Sequence, residues 1–285
     1  MKNDTKKSMY DLVYVYEFEG DLREVISPLK EDEAFIGIWK EANYSFLFFK
    51  KDKKDLLRCF LPPFRSETVL RHEDWEAGNP LDFLRVGQIT VHPPWKIPPE
   101  KEGISLSIDP GMAFGSGSHA STRGCLVLLE KLFRRHVPQT VLDLGTGTGI
   151  LSIASLKMGA RVAFSLDYNN LAIDTAKKNR GLNGLEDRMH LWMGDARDFL
   201  HIDADLLIAN LYFQVLEQLT DQNVFYSKRY YLLSGLLGHE GFRIQQKLTE
   251  KLTLLDSYQE NFWFSLLFAN PAHRRLGPPA GEKHS

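Results

Sequence analysis

The sequence predicts an α/β protein: a mostly parallel sheet closed by a C-terminal antiparallel hairpin, with a small α+β domain in front of it. Three observations carry that expectation. From about residue 104, apolar runs of strand length alternate with helical patterns, and the runs are nearly unbroken, as in strands buried on both faces. The last two runs are separated by a turn too short for anything but antiparallel pairing. Ahead of a proline-dense connector, residues 1–60 read in the order β, α, β, β, α.

Taken in order, residues 1–8 are polar and expected to be loose. Leu12, Tyr14, Tyr16 and Phe18 then recur at strand period. Asp21 is a capping residue type ahead of Leu22, Val25, Ile26 and Leu29, which suggests a short helix. AFIGIWKE (34–41) and YSFLFFKK (44–51) read as strands joined by a short turn, and Leu56, Leu57 and Phe60 as an amphipathic helix. Residues 61–103 hold Pro62, Pro63, Gly78, Pro80, Pro93, Pro94, Pro98 and Pro99, the composition of a stiff linker, with one embedded strand near Val86–His92. The block HPPW (92–95) reads as packing of that linker against a domain, with contact to substrate as the alternative. In the domain spanning 104–271, strands are expected at 140–146, 161–168, 189–196, 204–211 and 230–237, then at 252–259 and 262–270. Helices are expected at Thr122–Arg135, Ile150–Met158, Asn170–Gly181, Phe213–Asn223 and Glu240–Lys251. The tail 272–285 is expected to be disordered.

Composition narrows the function classes. The chain has 285 residues with a formal net charge of −2, so it lacks the polycationic character that nonspecific nucleic-acid binding requires. A mildly acidic surface can still receive a basic protein. Two cysteines, Cys59 and Cys125, are too few for a zinc site or a disulfide framework and read as reduced thiols. The N-terminus leads into no apolar stretch, and no run has transmembrane length, so a cytoplasmic, membrane-free protein is expected, as a monomer.

The chemistry is concentrated in V-L-D-L-G-T-G-T-G-I-L (141–151), where a strand ends and a helix begins. Gly145, Gly147 and Gly149 allow a sharp turn and close approach of backbone to ligand. The helix beyond supplies free N–H groups and a positive dipole end. Asp167 closes the next strand, where a carboxylate can accept from both ribose hydroxyls of a nucleoside. The loop reads G-x-G-x-G, whereas nicotinamide sites carry G-x-G-x-x-G. It is preceded by Asp143, which can hold the glycine loop or reach the amino group of a methionine moiety. These features favour S-adenosylmethionine over NAD. Asp195, in G-D-A (194–196), is either an acceptor for the adenine amino group or a helix cap.

A second block, IDPGMAFGSGSHAST (108–122), resembles the PrmA family, methyltransferases of ribosomal protein L11, whose hallmark is D-P-G-[LM]-A-F-G-T-G-x-H-x-T-T just before the glycine loop. The match runs through Asp109, Pro110, Gly111, Met112, Ala113, Phe114, Gly115, Gly117, His119 and Thr122, with Ser116 and Ser121 replacing Thr. It continues through D-L-G-T-G-T-G-I-L-S-I-A (143–154), Asp167, I-A-N-L (208–211) and L-L-S-G-L-L (232–237), and covers about residues 75–270. The front domain is similar to the family's in size and class only.

The resemblance implies a Rossmann-like methyltransferase sheet, S-adenosylmethionine as cofactor, and cofactor contacts at Thr122, Gly145, Asp167 and Asn210. It also implies a front domain that grips a basic ribosomal protein whose lysine or N-terminal amines are methylated; a PrmA-like enzyme with another protein or small-molecule substrate is the alternative. Thr122 opens a helix whose end suits a carboxylate, loop 111–119 is placed to close over the cofactor, and Asn210 ends a strand on the ligand-binding edge. Ser116 and His119 invite a serine-hydrolase reading, but there is no G-x-S-x-G elbow and no evident acid partner. His119 reads as a residue that positions the loop, and no residue is named as a catalytic base.

Overall fold

A computed structural model describes residues 12–41, 43–71, 83–98 and 103–273. The expectations for residues 1–8 and for most of the tail lie outside these residues.

The front unit is an antiparallel sheet in the order β2-β3-β1-β4, from β1 (Leu12–Glu19), β2 (Phe35–Glu41), β3 (Tyr44–Phe49) and β4 (Ser66–Arg71). Strand alternation gives it two apolar faces. Tyr16, Phe18, Ile38, Leu47 and Phe49 form one core with Leu22, Ile26 and Leu29, and with Leu57 of α1 (Lys54–Phe60). Val13, Val15 and Phe48, on the other face, pack on Met112 and Leu171 of the following domain.

Two expectations need correction here. The front unit does not end at residue 60: β4 pairs with β1 along its whole length, so its chain contributes through Arg71. Pro62 and Pro63 punctuate the connection before the strand, outside its hydrogen-bond ladder. The helix expected after Asp21 is a turn followed by a 3-10 segment, Ser27–Glu31, with Pro28 in its first turn. A proline there is incompatible with a continuous helix from residue 22, because it has no N–H for the preceding turn. Asp21 instead accepts from the Arg23 N–H.

The expected linker is also more structured than its prolines suggest. In place of one strand near 86–92, β5 (Leu84–Val86) and β6 (Ile89–His92) form a tight hairpin. β6 then pairs in parallel with β7 (Ile104–Ser107). His92 is buried and bonds through Nε2 with Ser105 Oγ, at 2.9 Å, which makes it a packing residue.

The main domain is a seven-stranded sheet in the order β10-β9-β8-β11-β12-β14-β13. β8 (Thr140–Leu144), β9 (Val162–Asp167), β10 (Met189–Met193), β11 (Leu206–Asn210) and β12 (Tyr230–Leu237) run parallel. β13 (Thr253–Glu260) and β14 (Trp263–Ala269) close it antiparallel. Alternate residues of the strands feed two layers. Val141, Ile208 and Leu232 meet α2 (Ala120–Arg135) and α3 (Ile150–Lys157). Leu142, Leu207 and Leu233 meet α5 (Phe213–Asp221) and α6 (Gly238–Thr249). The helix α4 (Asn170–Leu182) follows β9. Because both faces of the central strands are buried, their near-continuous apolar composition follows directly.

Candidate cofactor and acceptor site

Strand order changes direction at β8, between β9 and β11, so the crevice at the carboxyl ends of these strands is where an open α/β sheet takes its ligand. The loop after β8 is held open by specific bonds. The N–H groups of Gly145 and Thr146 both donate to the Leu166 carbonyl at 2.9 Å. Asp143, 1% exposed, accepts from Thr146 Oγ1 and Ser152 Oγ, each at 2.7 Å, and so ties the turn to the first coil of α3. Burial pushes the Asp143 carboxyl up to about 6, against the pull of those two hydroxyls. Of its two roles weighed from the sequence, loop holding is the one seen.

Gly147 has φ of +55°, and a Cβ there would run into the Phe114 carbonyl, so the position needs glycine on two counts. Its N–H donates to Asp167 Oδ2 at 3.0 Å, while Asp167 Oδ1 accepts from Asn169 N–H at 2.9 Å. Asp167 ends β9, is 8% exposed, and is shifted upward by burial. The Tyr168 N–H is a third donor to this carboxylate, which keeps acceptor capacity for a hydroxyl donor.

The D-P-G segment lies across this floor. Thr148 N–H donates to the Phe114 carbonyl at 3.0 Å and Thr148 Oγ1 to the Gly115 carbonyl, so loop 111–119 is docked on the glycine loop. His119 caps α2: its Nδ1 accepts from Ser121 N–H, and its ring stands between Phe114 and Trp263 at centroid distances of 5.0 and 4.6 Å. Burial first, and then the Arg123 charge, hold His119 below the usual imidazole range. Ser116 bonds with Ser118, at 2.9 Å, and His119 Nδ1 is spent on Ser121, at 2.8 Å, at the cap of α2. Arg123 pairs with Glu260 and donates to the Ser118 carbonyl, which fastens the closing hairpin to the loop.

Thr122 lies in the first turn of α2, and Asn210 ends β11. Thr122 Oγ1 and Asn210 Oδ1 are both buried and have no hydrogen-bond partner in the protein. An unsatisfied buried polar atom costs about 1–3 kcal/mol. Two of them at the ligand edge fit a polar ligand: a hydroxyl that can donate to a carboxylate, and an amide oxygen that can accept from an amine. Leu211, next to Asn210, packs over Gly145, so the end of β11 stands beside the glycine loop.

Asp195 is placed as the cap that the sequence allowed. It caps the 3-10 turn Ala196–Asp198 and spends its carboxylate on Arg197: Oδ1 accepts from the Arg197 N–H and Nε, and Oδ2 pairs with Nη2. That pairing lowers its pKa. The capping alternative is the one this geometry carries.

Sequence reasoning missed Asn179, Lys178 and Asn183 of α4. Lys178 pairs with buried Asp109, Asn179 bonds the Asp109 backbone, and Asn183, the C-cap of α4, bonds the backbone of Ser107 at the end of β7. Their i, i+4 spacing was the available signal, although polar residues at helical spacing ordinarily mark a solvated face. Trp263, which flanks His119, was read only as a strand residue.

Comparisons with known proteins converge on one family. A family model described as ribosomal protein L11 methyltransferase (PrmA) matches residues 18–271. The ribosomal protein L11 methyltransferase of Desulfitobacterium hafniense is 34% identical over 205 residues, or 70% of this chain and 65% of that protein. The one from Clostridium botulinum (strain Eklund 17B) is 35% identical over 188 residues, or 64% and 59%. The chain thus spans less than two thirds of the length of these curated relatives. A crystal structure of ribosomal protein L11 methylase from Lactobacillus delbrueckii subsp. bulgaricus superposes with a TM-score of 0.58 at 26% identity, covering 66% of this chain and 98% of that one.

Proposed function

The chain belongs to the ribosomal protein L11 methyltransferase (PrmA) family, and on that premise we propose that it is an S-adenosylmethionine-dependent methyltransferase acting on amines of ribosomal protein L11. The observation that carries the reading is the pair of buried, unpartnered atoms Thr122 Oγ1 and Asn210 Oδ1, at the start of α2 and the end of β11, where Ser234 pairs with Asn210 and bonds the Ser121 carbonyl.

When bound, S-adenosylmethionine would supply a methyl group on a cationic sulfur. The chain's own residues divide the remaining tasks. Thr122 and the N-terminus of α2 hold the methionine carboxylate, and Gly145 and Gly147 admit the ligand against bare backbone. Asp167 accepts from ribose hydroxyls. Asp195 Oδ2, bonded once by Arg197, keeps a lone pair for the adenine amino group. Asn210 Oδ1 accepts an N–H from the incoming amine and orients its lone pair. Phe114, in loop 111–119, and Trp263 stand on either side of His119.

The acceptor must be a neutral amine, and a free lysine has a pKa of about 10.4. Desolvation among aromatic rings lowers that value, so no residue is assigned as general base. His119 is committed as a cap. A lysine side chain or an N-terminal amine fits this chemistry. One chain carries the whole set Thr122, Gly145, Asp167 and Asn210, so a monomer suffices. Among the described residues no helix is long and apolar enough to cross a membrane.

The test is incubation with methyl-labelled S-adenosylmethionine and ribosomal proteins, with the label located by mass spectrometry. Label on L11 amines that disappears with Asp167→Ala supports the reading. Cofactor binding without label on L11 would move the same chemistry to another substrate, and absence of cofactor binding would end the methyltransferase reading.

A further inference from the structure

Helix α4 does more than connect strands. Residues 171, 175 and 179 of α4 and its C-cap Asn183 lie four apart on one face, and each meets the segment 107–112 running the opposite way. Asn183 brackets Ser107: Oδ1 accepts from the Ser107 N–H at 3.1 Å and Nδ2 donates to the Ser107 carbonyl at 2.8 Å. Asn179 brackets Asp109 in the same manner, accepting from its N–H at 2.8 Å and donating to its carbonyl at 2.9 Å. Thr175 stands against Gly111, where a Cβ would come within 3.0 Å of its hydroxyl. Leu171 packs with Met112 and with the front sheet. The two amides act as a substitute strand edge, satisfying backbone groups that a loop would otherwise bury unpaired.

Asn179 differs from its neighbour in one respect. It is fully buried, and its Nδ2 also donates to the Thr148 carbonyl at 2.9 Å. Thr148 lies between Gly147 and Gly149, and its other polar groups are held by the Phe114 and Gly115 carbonyls. A single side chain therefore ties together the D-P-G segment, which lies over the site, and the glycine loop, which is its floor. We propose that Asn179 is a positioning residue for cofactor binding, setting the distance between these two segments through Thr148 and Asp109. Asn183, which bonds only Ser107 and its own helix, anchors the segment without touching the glycine loop.

This rests on the cofactor reading above, and the experiment separates the two. S-adenosylmethionine binding is measured by calorimetry on wild type, Asn179→Ala, Asn179→Asp and Asn183→Ala, with thermal unfolding of each and KM for both substrates. Asn179→Asp keeps the acceptor for the Asp109 N–H but sets a carboxyl against the Thr148 and Asp109 carbonyls, so the uncharged Asn179→Ala and the thermal unfolding of each variant separate loss of positioning from loss of folding. The expected result is cofactor Kd and KM raised about tenfold in both Asn179 variants, about 1.4 kcal/mol, with KM for the protein substrate unchanged. Asn183→Ala is expected to lower the melting temperature while leaving cofactor affinity within about twofold. Wild-type affinity in folded Asn179→Asp, or equal losses in the Asn183 variant, overturns the assignment. A wild-type protein that binds no S-adenosylmethionine overturns the cofactor reading and this inference with it.

Discussion

At Gly147 the backbone is left-handed and the Phe114 carbonyl occupies the space a side chain would need. Gly147→Ala therefore strains the loop and pushes the D-P-G segment outward; a loss of about 1–3 kcal/mol in unfolding free energy is expected, with cofactor affinity falling in parallel. Calorimetry and denaturant unfolding on the same sample check both. Asp143 gives a prediction of a different kind. Its folded pKa, about 6, lies above the ordinary value of 3.8. Between those values the folded protein holds a proton that the unfolded chain has released. The stability from this group is full below the unfolded pKa and is lost as pH rises through the folded one. Relative to Asp143→Asn, which cannot ionise, wild type should lose up to about 3 kcal/mol between pH 4 and 7. Melting curves of both proteins across that range measure the slope; a constant difference would show that the carboxyl titrates normally.

Among the elements, α2 carries the most consequence per residue. Its cap is His119, whose Nδ1 accepts from Ser121, and its third residue is Thr122. His119→Ala removes the cap and the ring between Phe114 and Trp263. Loss of a helix cap costs about 1 kcal/mol, and the lost ring contacts add to it. Cofactor affinity should fall because Thr122 is displaced. If His119→Ala instead abolishes turnover with stability and binding intact, the histidine takes part in proton transfer and the capping assignment is wrong. This element was legible in the sequence, since Thr122, Leu126, Leu129 and Phe133 follow helical period. The glycine loop, β9 and Asp167 were legible too, because a strand, a turn needing positive φ and a helix leave strong local marks. The 3-10 segment at 27–31 was misread because apolar spacing at Leu22, Ile26 and Leu29 matches a helix, while Pro28 acts against it. The strand β4 was hidden because its stabilisation comes from β1, some fifty residues away.

For the molecule as a whole, the joint between front sheet and main domain is small and specific. Gly37 lies against Leu171, so any side chain there meets the leucine, and Val13, Val15, Phe48 and Met112 complete the cluster. Leu171→Ala opens a cavity at this joint. Large-to-small changes of this kind cost about 2–5 kcal/mol, and the front sheet should loosen against α4. The expected kinetic result is a raised KM for the protein substrate with cofactor Kd little changed, the reverse of the Asn179 pattern. Hydrogen exchange in β2 compared with β8 would show whether the loosening is confined to the joint.

By itself the sequence determined the class of fold, the position of the glycine loop, its acid at Asp167 and the family resemblance that marked Thr122 and Asn210. These are written in local periodicity and in residues whose backbone or chemical needs have few alternatives. Only the tertiary structure decided that Asp195 caps a turn against Arg197, that Asp143 holds the loop, and that residues 66–71 complete the front sheet. It alone brought Asn179 between Thr148 and Asp109. The reason is physical: a polar side chain takes its role from whichever partner is within hydrogen-bond reach, and that partner lies about seventy residues away for Asp109 and thirty for Thr148, a distance no local pattern encodes.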